Sequence, residues 1–185
     1  MAHGRSGWRR GPGGFACLAF LCLGGCAPSE DEATALGEYL LQSLAFARQT
    51  ADTAMIEGIF LPDATYDDYP NQIEYRGIEE IVAYLTSVHD WADDVYVNLG
   101  SVRSGAAVAV GQWLFAGVQS RPIPDVITTA TGREVVLSGV TLLEIEGGRI
   151  ARAADYWDRA TLMLQLGGRI ELPDGSVVSG DFSAN

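Results

Sequence analysis

Lysine is absent from these 185 residues; all twelve basic side chains are Arg, set against twenty-four carboxylates, and the formal charge is −12. A chain with no basic patch has nothing to displace counterions from a phosphate backbone, so nucleic acid is excluded as a partner. Histidine is scarce: of two residues, only His89 lies beyond the N-terminal segment. One His cannot complete a conventional metal site, and no other cluster has metal-ligand spacing. There is no Gly-rich phosphate loop, nucleophile elbow or dinucleotide fingerprint, so no cofactor is implied. The three Cys fall at 17, 22 and 26, which leaves everything after them without a disulfide and dependent on its core. That core can exist: 48% of the residues are hydrophobic, and the length suits one globular domain.

The N-terminus stands apart. Arg5, Arg9 and Arg10 precede the apolar run "FACLAFLCLGG", too short to span a bilayer comfortably and arranged like a secretory n-region and h-region. The run ends in Leu23-Gly24-Gly25-Cys26, which resembles the lipobox of bacterial lipoproteins. The resemblance implies cleavage after residue 25 and lipidation of Cys26. Loss of the three leader Arg takes the charge from −12 to −15, and acyl chains at about 0.8 kcal/mol per buried methylene would anchor the chain to a membrane. Ala27, rather than Asp, follows the Cys. In a Gram-negative cell this implies the outer membrane, facing the periplasm. The expected layout is a signal peptide over 1–25, a lipidated tether over 26–33, a folded domain over 34–167 and a tail over 168–185.

Periodicity orders the remainder. Leu36, Leu40, Leu41, Leu44 and Phe46 fall largely at helical spacing over about 30–49. Asp52 is placed to cap a second helix through Met55, Ile56, Ile59 and Phe60, with Pro62 ending it. "ATYDDYP" is extended. Gly77 opens a third helix through "IEEIVAYLTSVHDWA", with Ile78, Ile81, Val82, Leu85 and Val88 as its apolar stripe. From Asp94 onward, four Val- and aromatic-rich segments punctuated by Gly105, Gly132 and Gly147-Gly148 read as antiparallel strands. The longer connection "RPIPDVITTATG" between the middle two has the length of a lid. Asp158 opens a last helix, and Pro173-Asp174-Gly175 marks a turn in the tail. Helices followed by a run of strands predict an α+β fold, a cone-shaped curved antiparallel sheet wrapped around its helices.

Three stretches, "IFLPDATYDDYP", "YRGIEEIVAYL" and "GVTLLEIEGGRIARAADYWDRATLMLQLG", resemble the SnoaL-like branch of the nuclear-transport-factor-2-like (NTF2-like) superfamily. That group includes polyketide cyclases, limonene-1,2-epoxide hydrolase and ketosteroid isomerase. The likeness covers residues 30 to 167 and implies the cone-shaped fold with an enclosed pocket. It does not fix a reaction, since one fold hosts many.

Alternation along the last strand puts Ala151, Ala153 and Asp155 on one face and Ile150, Arg152 and Ala154 on the other. Arg152 seeks water, so Asp155 points inward. In the epoxide hydrolases the first Asp of a matching "DYFD" protonates the epoxide, and that match falls on Asp155. Asp158 has two readings: an N-cap for the last helix, or the catalytic Asp that precedes "QLG" in the cyclases. Tyr66 and Asp68, two apart on an extended segment, share a face; the resemblance gives them a water-holding role, with Asp68 where the hydrolases carry Asn. The family's Arg-x-Asp pair falls on Gln112 and Leu114, which breaks the charged triad. Gln112 is then expected to orient a ligand carbonyl, with Ala153 lining the space and Trp113 on the opposite face. His89 closes the third helix, where its charge suits the helix dipole, and stands as a further ligand-side candidate.

Two functions remain open. One is an envelope lipoprotein whose pocket takes an apolar or amphipathic small molecule and acts as a cofactor-free cyclase, isomerase or hydratase, with Asp155 as acid or base. The other is a non-catalytic lipoprotein that binds a ligand or a protein. A homodimer is compatible with either. Asp155→Asn is expected to remove activity and spare stability, and Asp158→Asn to do the reverse.

Overall fold

The computed structural model describes residues 29–180. The leader and Cys26 lie outside the described residues.

Helix α1 (Glu30–Thr50) opens with a reciprocal cap: the Ser29 side chain accepts from the Glu32 amide, and the Glu32 carboxylate accepts from the Ser29 amide. The helix therefore starts four residues before the expected domain boundary, and Ala33 is already buried. Its close approach to the sheet requires Gly37, where a Cβ would lie 1.8 Å from Ser104 Oγ. Asp52 caps α2 (Thr53–Ile59), accepting from Met55 N at 2.9 Å. The second helix ends before Pro62 is reached. Phe60 is already extended and buried, and Pro62 sits within strand β1 (Phe60–Asp68).

The expected third helix is two: α3 (Gly77–Thr86), preceded by strand β2 (Ile73–Arg76), and a single turn α4 (Val88–Trp91). Ser87 and Thr86 side chains bond back to the carbonyls of Tyr84 and Val82, the local competition that loosens helices at Ser and Thr. Then come β3 (Ala92–Ser104), β4 (Val108–Gln119), β5 (Glu134–Glu146) and β6 (Arg149–Trp157). Helix α5 (Arg159–Gln165) follows, and the tail forms a hairpin of β7 (Arg169–Glu171) and β8 (Val177–Ser179).

The sheet order is β2-β1-β6-β5-β4-β3. All pairings are antiparallel except β1 with β6, which run parallel. This is the α+β architecture expected: a curved six-stranded sheet with the helices packed inside the curve. One register detail differs. Glu144 pairs with Arg152 and Ile145 with Ile150, so Ala151 is an extra residue. The bulge turns Ile150 into the core beside Ala153 and Asp155, because an added residue inverts the alternation on one side of it.

Two apolar clusters fill the interior. One gathers Leu40, Leu44, Ile56, Phe60, Ile81 and Leu85 from the helices and β1. The other holds Phe115, Val135, Leu137, Leu162 and Leu166. The cavity described next lies between them, with Leu85 on one wall and Phe115, Leu137 and Leu162 on the other.

Candidate functional site

Asp155 sits near the end of β6, 1% exposed, and three other elements aim donors at its carboxylate. From α1, Arg48 Nη2 donates to Oδ2 at 2.9 Å. From β5, Thr141 Oγ1 donates to Oδ1. From α3, the Tyr84 hydroxyl approaches Oδ2 at 3.4 Å. Thr141 accepts in turn from Trp113 Nε1 at 3.0 Å. Both carboxyl oxygens of Asp155 are thus engaged within the protein.

Arg48 is the hub. Its Nη2 also donates to the Tyr66 hydroxyl at 3.2 Å, and its guanidinium lies 5.9 Å and 5.5 Å from the ring centroids of Tyr66 and Tyr84. Burial opposes its charge, but the fields of Tyr66, Asp155 and Tyr84 outweigh that and hold its pKa well above the usual Arg value. Burial is the main cause that pushes both phenols, Tyr66 and Tyr84, well above theirs; Arg48 partly offsets it in each.

Asp68 is the register partner of Asp155 across the parallel β1–β6 pair, so both carboxylates leave the same face of neighbouring strands. Asp68 is 2% exposed and accepts from Asn71 Nδ2 at 2.7 Å and Trp157 Nε1 at 3.2 Å. Both acids line a cavity of about 460 Å³. Its deep end holds Asp68, Asp155 and Leu85. Its exposed rim includes Ile73, Asp90, Asp125 and Arg159. The space is therefore open to solvent on one side rather than enclosed. The β4–β5 connection supplies part of the wall through Ile123, Pro124, Asp125 and Val126. The fully buried Gln119 ties the base of that connection: Nε2 donates to the carbonyls of Arg121 and Thr129, and Oε1 accepts from Thr131.

Of the residues singled out in the sequence, Asp155, Asp68 and Tyr66 come together, but Tyr66 is fully buried behind Arg48 and does not line the cavity. Ala153 is the register partner of Tyr66, packed in the core beneath it. Gln112 is a correction. It is exposed on the outer face of the sheet, and Trp113 faces the cavity. The inward residues of β4 are Ala109, Gly111, Trp113, Phe115 and Gly117; removing the large apolar rings of Trp113 and Phe115 from water sets the alternation. The expected family pair at Gln112 and Leu114 therefore points away from the site. Of the two readings of Asp158, the N-cap is the one the geometry has, and the catalytic one finds no support in its position. Asp158 is exposed and caps α5, accepting from Ala160 N at 2.8 Å, Thr161 N at 3.3 Å and Thr161 Oγ1 at 2.7 Å, and those bonds lower its pKa. His89 does not line the cavity either; its Nε2 is 2.9 Å from the Arg48 carbonyl. That bond anchors the end of α1 and hence the Arg48 backbone.

Arg48, Tyr84 and Thr141 were not anticipated. A signal existed for Arg48: it continues the buried stripe Leu41, Leu44 at helical spacing and is the one basic residue on α1. Thr141 is the one polar residue in the inward series Leu137, Gly139, Thr141, Leu143, Ile145. Among the described residues no group of three or more His, Cys, Asp or Glu side chains is arranged to hold a metal.

The SnoaL-like domain model matches residues 41–153, more than half of the chain. The chain belongs to the SnoaL-like domain family. No curated protein matches it significantly. Among solved structures it is similar to TsrD from Streptomyces laurentii, at 26% identity and TM-score 0.64, over 72% of this chain and 96% of that one. It is similar to a putative SnoaL-like polyketide cyclase from Jannaschia sp. CCS1, at 18% identity and TM-score 0.67, over 75% and 96%. It also shares its fold with an LEH-like epoxide hydrolase of M. tuberculosis, at 16% identity and TM-score 0.57, over 72% and 90%.

Proposed function

We propose that this SnoaL-like domain binds an amphipathic small organic molecule in the cavity above Asp155 and moves a proton on it, in the manner of a cofactor-free cyclase, isomerase or hydratase. The observation that carries this reading is the placement of two buried carboxylates, Asp68 and Asp155, at the deep end of a largely apolar cavity. Exposed acids would be free to sit anywhere; buried ones need a reason. Asp155, held by Arg48 and Thr141, serves as the proton-transfer group. Tyr84, which lines the cavity with its hydroxyl near Asp155, takes the hydrogen-bonding role that the sequence assigned to Tyr66 and Gln112.

The test is a thermal-shift screen of small carbonyl- and hydroxyl-bearing compounds, followed by turnover assays on those that bind. Asp155→Asn should lower kcat by orders of magnitude with KM little changed. A screen without a binder, or an Asp155→Asn variant that turns over normally, removes the reading. A non-catalytic binding role is favoured by one observation: both oxygens of Asp155 already accept bonds within the protein, as in a structural ion pair. Binding without turnover would select it.

The same reading includes the leader. The lipobox-like Leu23-Gly24-Gly25-Cys26 supports a lipid anchor at Cys26, with the domain held at the cell envelope. Among the described residues no helix is long and apolar enough to cross a membrane. Cys26→Ser should release a soluble or uncleaved protein; membrane partitioning with unchanged mature mass would rule the anchor out.

A further inference from the structure

We propose that the occupant of the cavity is an organic cation, an ammonium group carried on an apolar or aromatic body, with Asp68 as its counter-ion. This rests on the pocket reading above and adds the charge of the ligand. Asp68 is 2% exposed, and its two partners, Asn71 and Trp157, are neutral. Among the described residues no basic side chain forms an ion pair with it. Arg48, the buried guanidinium of the cavity, is committed to Asp155. Both carboxylates have hydrogen-bond partners, but of the two only Asp155 has a counter-charge among the described residues.

The rest of the lining has the same bias. Tyr75, Tyr84, Trp91, Trp113, Phe115 and Trp157 all border the cavity, and the negative faces of such rings attract a cation, most strongly where water is excluded. Asp90 and Asp125 at the rim join Asp68 and Asp155, so four carboxylates face two guanidinium groups, Arg48 and Arg159. The negative charge of Asp68 is felt at the wall: after burial, it is the cause that raises the Tyr75 phenol above its ordinary pKa. An anion entering this space meets repulsion. A neutral ligand displaces water from around Asp68 and leaves its charge uncompensated. An ammonium meets a carboxylate and aromatic rings together.

Calorimetry on the purified intact protein with (4-hydroxyphenyl)trimethylammonium and its neutral carbon isostere, 4-tert-butylphenol, separates charge from shape. The cation is expected to bind about tenfold or more tightly than the isostere. Asp68→Asn should abolish the preference, weakening the cation about tenfold and no longer penalising 4-tert-butylphenol. Equal or weaker binding of the cation to the wild-type protein overturns the proposal and leaves the pocket reading standing. A preference that survives in Asp68→Asn overturns the role of Asp68. Failure of both probes to bind removes the pocket reading and this one with it. The wild-type comparison decides the charge preference even if Asp68→Asn does not fold.

Discussion

Arg48 Nη2 lies 2.9 Å from Asp155 Oδ2, joining the last turn of α1 to the end of β6 across 107 residues of chain. The two side chains are 16% and 1% exposed, so little water is at hand to replace either partner. The buried pair changes what Asp155→Asn should do. Removing one member of such a pair leaves the other uncompensated, at a cost of about 3–5 kcal/mol. Arg48→Met should therefore destabilise by about that amount in urea unfolding, and Asp155→Asn should also destabilise rather than spare stability. The double variant Arg48→Met with Asp155→Leu should recover most of the loss. A single Arg48→Met variant as stable as the parent would show that the pair does not hold α1 to the sheet.

Asp158→Ala tests the opposite assignment. The Asp158 carboxylate satisfies the first amides of α5 and touches nothing in the cavity. Its loss should cost about 1 kcal/mol and leave ligand binding unchanged. Any turnover found should persist in this variant; its disappearance would return Asp158 to the catalytic group.

The fold was legible because its signals are local and redundant. Leu40, Leu41 and Leu44 repeat at helical spacing, Asp52 and Asp158 are caps in both sequence and structure, and β3 to β6 alternate between Gly-marked turns. The inward direction of Asp155 was legible from its alternation against the water-seeking Arg152; for Asp68 the alternation said only that it shares a face with Tyr66, and its burial shows in the structure alone. The orientation of β4 was not legible. Its inward series includes Ala109, Gly111 and Gly117, small residues that carry no apolar signal, while the outer series includes Val110, Leu114 and Val118. The site's ion pair was beyond reach for another reason. Arg48 meets Asp155 only through the docking of α1 on the sheet, and no spacing within either element encodes that meeting. The bulge at Ala151 was hidden likewise, since it shows only when β5 and β6 are paired.

Tyr66 and Tyr84 should make stability fall at high pH. Burial raises both phenols well above their ordinary value, so the folded state keeps protons that the unfolded state loses above about pH 10. With fewer protons bound in the unfolded state, stability decreases as pH rises, and it is fully present below that range. Absorbance titration near 295 nm should show Tyr66, fully buried among the seven tyrosines, ionising only as the protein unfolds. Ionisation of all seven together while the fold persists would contradict the burial of Tyr66.

Gly139→Ala probes the wall that holds Thr141. Gly139 is the register partner of Trp113, and the indole lies across it: a Cβ there would come 2.2 Å from Trp113 Cζ2 and 2.6 Å from Cη2. Rings do not yield at that distance, so the indole must swing away, breaking its bond to Thr141 Oγ1 and withdrawing support from the hydroxyl that donates to Asp155. Overpacking of this kind costs about 1–3 kcal/mol. The expected outcome is a lower Tm together with altered Trp fluorescence and weaker ligand binding, because Trp113 borders the cavity. Trp113→Phe in the Gly139→Ala background should restore part of the stability, since the smaller ring clears the added methyl. If Gly139→Ala is as stable as the parent and its fluorescence is unchanged, Trp113 does not lie across Gly139, and the chain from indole to Thr141 to Asp155 is not what positions the carboxylate.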